Sequence, residues 1–266
     1  MENYIELVKN PDLLSVLGTE KLSVGESFGL FFKEFSSSVD RRMASLAGSV
    51  HQVDVTQLAR AVKSRNINFV KNAGVEILVP ESYVPGLANM MAHTKHVCDG
   101  VFLVSSLKTE AVRLYDWLKR FIQIGRAETQ FRWSITNFDS AMDKAEAFVK
   151  GLPDTVRAKK APLGQVYVNF EEMQEVMSIY NAQVKLLGAR DPELAARELS
   201  KVYELGQLLV AKIKSNDLII DAAQVTEVEM TVNRFIALTN LCGAMMVLLN
   251  ELHACFREQI NQVSRL

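Results

Sequence analysis

The most ligand-rich window of the sequence is His93-Thr-Lys-His96-Val-Cys98-Asp99. Histidines three positions apart on a helix share a face, so His93 and His96 could supply two corners of a metal site. A catalytic zinc site takes three protein ligands and a structural site four, and a third ligand would have to come from Asp99 or His253. We therefore predict no bound metal and no cofactor. A metal-dependent enzyme using His93 and His96 is kept as an alternative.

A second group of residues is basic. Lys150, Arg157, Lys159 and Lys160 lie in and beside a loop that contains proline and glycine, and only Asp154 opposes them locally. They could form an anion patch, but phosphate-binding surfaces normally draw basic residues from several elements, so a solvated charged loop is the simpler interpretation. The net charge of −1 also excludes an overall positive field. We predict that nucleic acid is not a partner.

Motifs that would name an enzyme are scarce in this chain. No Walker loop, no GxGxxG after a strand, no HExxH and no CxxC occurs. The adjacent carboxylates Glu171 and Glu172 fit the start of a helix, where they favour the macrodipole, better than they fit acid–base work. We predict that the protein is not an enzyme and infer no small-molecule substrate.

The three cysteines, Cys98, Cys242 and Cys255, form no disulfide framework, because their number is odd and their spacing irregular. Such usage suits a reducing compartment. The first residues have neither a basic region nor a long apolar run, so we expect no signal peptide. We therefore expect a cytoplasmic protein that is not secreted.

The elements that must position these residues are helices. Only 13 glycines and 6 prolines interrupt the chain, which favours long elements over short strands and tight turns. Apolar residues recur at helical spacing through most of the sequence. The one exception is a possible hairpin near 67–79, where Ile67–Val70 and Val75–Val79 flank a turn-like stretch. The predicted fold is all-α, an elongated bundle of six to nine helices with at most this small hairpin.

The strongest pattern predicts one long helix, roughly Ile219–Gln262. Its apolar positions alternate in steps of three and four without a slip, which is typical of a coiled-coil seam. The uncharged run 235–250 is shorter than the roughly 20 residues that span a bilayer, so we expect it to be buried in protein and not in a membrane. The predicted interaction seam comprises Phe235, Thr239, Cys242, Met246, Leu249, His253 and Phe256.

The organisation of the chain follows from these elements. We predict an N-terminal helical region over 1–150, a basic loop over 151–169, and a three-helix C-terminal region over 170–266. The two regions could form separate domains or share one core. Short connections between the C-terminal helices predict that chain neighbours pack antiparallel.

Two segments resemble known sequences. Residues 17–28, which read LGTEKLSVGESF, and residues 164–170, which read GQVYVNF, resemble uncharacterised, virion-associated structural proteins of large tailed bacteriophages. The resemblance implies a virion or assembly component made in the host cytoplasm. It brings no catalytic residues with it.

Three functions remain open at this point. The first is a non-enzymatic structural or assembly protein that packs long helices against partners or against copies of itself. The second is a protein-binding module or an inhibitor of a host factor. The third is the metal-dependent enzyme. The regular seam of the last helix favours the first.

Overall fold

The computed structural model describes residues 28–37, 40, 50–84, 89–125, 130–152, 158–187 and 191–266. Residues 28–37 are helical. Nine further helices follow in the described part: α1 (Val55–Ser64), α2 (Phe69–Asn72), α3 (Met90–Asp99), α4 (Val101–Ile124), α5 (Phe138–Lys150), α6 (Leu163–Val166), α7 (Phe170–Leu186), α8 (Asp191–Lys214) and α9 (Ala222–Val263). Two strands, β1 (Glu76–Pro80) and β2 (Ala158–Pro162), form an antiparallel sheet. The predicted all-α class with at most a small two-stranded element is confirmed.

The small sheet does not have the predicted partners. β1 pairs with β2, with Leu78 opposite Lys160, so the second strand comes from the segment predicted to be a basic loop. The stretch around Ile67 was expected to be a strand, and this was wrong because Asn68 caps a helix there. Its side chain accepts a hydrogen bond from the Lys71 amide at 3.0 Å, which favours helix α2 over an extended chain.

The predicted long helix is present and lies at the centre of the chain. Asp221 and Gln224 form a reciprocal capping box at its start, with hydrogen bonds of 2.8 and 2.9 Å. α9 contacts α1, α3, α4, α5 and β1. It is also the one helix of the described residues that is long and apolar enough to cross a membrane, yet 78% of that apolar stretch is buried inside the chain. The core helix of a soluble protein has the same character.

The other helices pair with elements distant in sequence. α8 packs along α4, and α7 packs mainly on α3 and α1. Neighbouring helices of the C-terminal region were expected to pack on each other, but each has its main contact elsewhere. A single hydrophobic core includes residues from both predicted regions. The two regions therefore share a core.

A close approach joins the helical segment 28–37 to α8. A Cβ atom added at Gly206 would lie 2.1 Å from the buried ring of Phe32, so only glycine allows this contact. In an exposed helix interior, a Gly→Ala change stabilises by up to about 1 kcal/mol. The sign of the effect at Gly206 therefore reports whether this packing exists.

We predict that Gly206→Ala destabilises the protein by about 1–3 kcal/mol, the usual effect of overpacking a core. Urea unfolding followed by circular dichroism measures it. Gly74→Ala is the control, because a Cβ atom there meets nothing within 4 Å. A Gly206→Ala variant at least as stable as the native chain would contradict the described contact.

Candidate functional site

The predicted seam of α9 faces the interior of its own chain. The side chains of Phe235, Thr239, Cys242, Met246, Leu249 and Phe256 are buried. The Thr239 hydroxyl donates to the Phe235 carbonyl at 2.8 Å, within the same helix. At the edge of the seam, Nδ1 of His253 lies 2.8 Å from the His51 carbonyl oxygen. The other side of the seam thus belongs to this chain.

The aromatic end of the seam fixes the segment before α5. The Trp133 ring stacks on Phe138 with centroids 3.8 Å apart and lies 4.5 Å from the ring of Phe235. The buried Glu110 of α4 accepts hydrogen bonds from the amides of Ser134, at 2.8 Å, and Ile135, at 3.2 Å. A buried carboxylate and an aromatic stack therefore hold this segment between α4 and α9.

Polar side chains of α9 bind the edge of β1. Gln259 donates to the Leu78 carbonyl at 2.6 Å, and the Leu78 amide donates to Gln262 at 3.2 Å. Gln259 also accepts from the buried Tyr167 hydroxyl at 2.8 Å. These glutamines were not predicted to matter. Their signal in the sequence was a polar residue in a helix that is otherwise buried.

The most unusual group of buried polar residues is Ser82, His93 and Glu251, which are 2%, 3% and 9% exposed. The Ser82 hydroxyl lies 3.0 Å from Nε2 of His93 and donates to Glu251 at 3.0 Å. The Glu81 amide donates to the other Glu251 oxygen at 2.8 Å. We call Ser82, His93 and Glu251 the buried cluster.

The buried cluster is not arranged as a catalytic triad. In a triad the histidine lies between the hydroxyl and the carboxylate, whereas here the Ser82 hydroxyl lies between the histidine and Glu251. When Glu251 is ionised, Ser82 donates to it and His93 donates its Nε2–H to Ser82. All three side chains are shielded from solvent. The arrangement joins three elements and presents no nucleophile to a substrate.

Burial shifts both ionisable members of the cluster towards their neutral forms. Desolvation raises the pKa of Glu251 to about 7, although its hydrogen bonds from Ser82 and Glu81 oppose the shift. Desolvation lowers the pKa of His93 to about 4, and the nearby His96 and Lys159 lower it further. At neutral pH the imidazole of His93 is therefore uncharged.

The two histidines of the ligand-rich window share a face of α3, since both rings lie near the ring of Phe148, at centroid distances of 6.0 and 5.5 Å, but they differ in burial and in hydrogen-bond partner. His93 bonds the buried Ser82, whereas His96 stacks on Phe148 with ring centroids 5.5 Å apart and lines an open cleft. Among the described residues, no three His, Cys, Asp or Glu side chains come together as metal ligands. His93 and His96 are thus not joined by a third ligand from this part of the chain.

The open cleft lies between the α3–α4 junction and α5, with Met245 of α9 also in its wall. Its volume is about 740 Å³. The polar residues that line it are His96, Asp99, Thr136, Asn137, Ser140 and Lys144. Apart from His96 and Asp99, this site was not visible in the sequence, because its residues come from three separate stretches.

The predicted basic residues have separate partners. Lys150 pairs with Glu146 at 3.7 Å, and Lys160 pairs with Glu76 at 3.8 Å. Lys159 donates from Nζ to the Tyr83 carbonyl. Arg157 lies outside the described residues. Lys159 and Lys160 are consecutive in β2 and so point to opposite faces of the strand.

The free cysteines are buried structural residues. Cys98, Cys242 and Cys255 form no disulfide. Burial raises the pKa of all three thiols, to about 12 for Cys98 and Cys255. Because the thiolate is the reactive form, these side chains are poor nucleophiles.

One short motif has the spacing of the nucleophile elbow of α/β hydrolases, Gly25-Glu-Ser-Phe-Gly29. The elbow requires a strand–turn–helix at the edge of a mostly parallel sheet. The described residues form only a two-stranded antiparallel sheet, and Ser27 lies outside them. Phe28 is buried and Gly29 is helical. The spacing alone therefore assigns no catalytic serine.

The buried cluster predicts a particular pH dependence of stability. The folded chain holds an extra proton on Glu251 between pH 4.5 and 7, so this group makes stability fall as pH rises there. Between pH 4 and 6.5 the unfolded chain carries a proton on His93 that the folded chain lacks, so this group makes stability rise as pH rises. Over the shared range, the two effects oppose each other.

We predict that Glu251→Gln removes the opposing contribution of the carboxyl group, so that the stability of the variant rises from pH 4 to 6.5 through His93. His93→Gln removes the contribution of the imidazole, so the stability of this variant falls from pH 4.5 to 7 through Glu251. Urea unfolding at a series of pH values measures both slopes. Parallel pH profiles for the two variants would show that these groups are not buried together.

Comparison with models of known families, with curated proteins and with solved structures returns no match.

Proposed function

We propose that the protein is a non-enzymatic structural or assembly protein, and that it works through contacts between its folded surface and further copies of itself. The observation that carries this proposal is the role of the buried ionisable side chains His93, Glu110 and Glu251. Each hydrogen-bonds a residue of another segment, either Ser82 or the backbone at 134–135. In enzymes such groups usually face a cleft, where they meet substrate.

The burial of α9 changes the surface that such contacts would use. The seam from Phe235 to Phe256 is covered by this chain, so a partner has to meet another face. Val70 is 82% exposed and Val168 is 78% exposed. Val70 follows Phe69 in α2, and Val168 lies two residues before the first residue of α7, Phe170. The rings of Phe69 and Phe170 are 5.1 Å apart. We assign the contact to this apolar surface, defined by Val70 and Val168.

The resemblance of residues 17–28 and 164–170 to virion-associated proteins supplies a setting for this proposal. It is that of a virion or assembly component of a large tailed phage, made in the host cytoplasm. Residue 168 lies inside the second of these segments. The exposed Val168 therefore lies within a segment that resembles virion-associated proteins.

A second candidate function is a protein-binding module or an inhibitor of a host factor. The same exposed valines favour it, because an exposed apolar patch often marks a binding surface. The two candidates differ in oligomeric state. A binding module is a monomer by itself, whereas an assembly protein associates with its own copies.

We predict that the purified chain forms an oligomer whose population rises with protein concentration, because association follows mass action. Light scattering coupled to size-exclusion chromatography measures it over about a hundredfold range of concentration. Val70→Asp with Val168→Asp should shift the equilibrium to monomer. Leu208→Asp is the control, since Leu208 is a partly exposed apolar residue on α8.

A native chain that stays monomeric throughout this range would contradict self-assembly and favour the binding module. An oligomer that both the double variant and the control leave intact would contradict the assigned surface. Circular dichroism melting of each variant verifies that the fold is retained.

A further inference from the structure

The cleft beside α5 has the dimensions of a small-molecule site. Its volume is about 740 Å³, within the range of about 300–1,000 Å³ that is usual for such sites. One wall is the junction of α3 and α4 at Gly100, the other is α5, and Met245 of α9 contributes from the core. A Cβ atom at Gly100 would lie 2.5 Å from the Met245 sulfur, so the junction approaches α9 closely.

Part of the lining is apolar. Phe102 and Leu103 contribute from α4, and Phe148 from α5. Ala141 and Ala145 are one turn apart on α5 and both face the cleft. Because their side chains are small, they leave space between the larger apolar groups. Such a lining suits a flat or branched apolar body.

The polar part of the lining contains one cation, one carboxylate and one imidazole. Lys144 faces the cleft and forms no ion pair with any described residue. His96 lies across from it on α3. Asp99 is the one carboxylate among the lining residues, and it reduces the positive field. One unpaired lysine beside one carboxylate, with the imidazole as a further hydrogen-bond donor, favours a ligand with one negative charge over one with several.

One helix start adds donors to the same place. α5 follows Asn137, which supplies no side-chain cap, whereas α4 follows α3 after the single helical residue Gly100 and so has no free start. The starts of α1, α2, α3, α7 and α9 are each capped by an Asp or Asn side chain. Uncapped amide groups and the positive end of the helix dipole both attract an anion.

We propose that this cleft binds a small amphipathic monoanion, an organic carboxylate or sulfonate with an aromatic or branched apolar body. Lys144 and His96 meet the charged group, and the exposed Phe102 and half-buried Phe148 contact the apolar body. Asp99 accepts a hydrogen bond from a hydroxyl or amino substituent of the ligand. This inference goes beyond the proposed assembly function and does not depend on it.

The test uses the full chain and two fluorescent probes with related aromatic bodies. 8-Anilinonaphthalene-1-sulfonate carries one negative charge, and N-phenyl-1-naphthylamine carries none. We expect saturable binding of both probes. Lys144→Met should weaken binding of the sulfonate about two- to fivefold, the effect of one exposed charge pair, and leave the neutral probe unaffected. Lys95→Met is the control, because Lys95 is on α3 outside the cleft lining.

Filling the cleft separates this site from other apolar surfaces. Ala145→Trp should abolish saturable binding of both probes, and Ser140→Trp at the rim gives the same readout if the first variant does not fold. Circular dichroism melting checks each fold. Absence of saturable binding by the native chain, equal effects of Lys144→Met and Lys95→Met, or full binding by a folded tryptophan variant would each overturn the proposal.

Discussion

The rest of the structure depends on the contact between the polar side chains of α9 and the edge of β1. A two-stranded sheet is marginally stable alone, and its open edge presents unpaired amide and carbonyl groups. Here the amide and carbonyl of Leu78 are bound by Gln262 and Gln259. The same hydrogen bonds satisfy polar groups that α9 carries into an apolar core. The polar groups of β1 and α9 are therefore paired with each other, so neither element buries an unpaired donor or acceptor at this contact.

This contact also determines where the neighbouring elements lie. Two turns before Gln259 on α9, Glu251 accepts hydrogen bonds from the amide of Glu81 and the hydroxyl of Ser82, just beyond β1. Ser82 in turn lies against His93 of α3. Because α3 continues through Gly100 into α4, the buried cluster sets the position of the junction that forms one wall of the cleft. The proposed ligand site is thus tied to the core helix.

Much of the fold could be predicted from the sequence, because helices are encoded by local spacing. The uninterrupted steps of three and four predicted the long helix to within a few residues of Ala222–Val263. The partner of β1 could not be predicted, because it lies about 80 residues away and the β-branched stretch near Ile67 gave a nearer alternative. The Asn68 cap decided against that alternative. Periodicity also could not reveal whether the seam faces this chain or another, since both require the same pattern.

The candidate sites were harder to predict than the fold. His93 and His96 stood out as residue types, but their separate roles depend on Ser82 and Phe148, which are distant in sequence. The polar residues of the cleft lie on α3, α5 and the segment before α5, so no short motif contains them. The exposed state of Val70 and Val168 likewise follows from tertiary packing.

Native-state hydrogen exchange measured by NMR tests the central claim most directly, namely that α9 holds the edge of β1. The amides of Leu78 and Glu81 donate to side chains of α9, so they can exchange only when the two elements separate. We predict that both amides exchange with the same opening free energy as that of Leu241 in the buried middle of α9. Fast exchange of Leu78 and Glu81 beside a protected Leu241 would contradict the account.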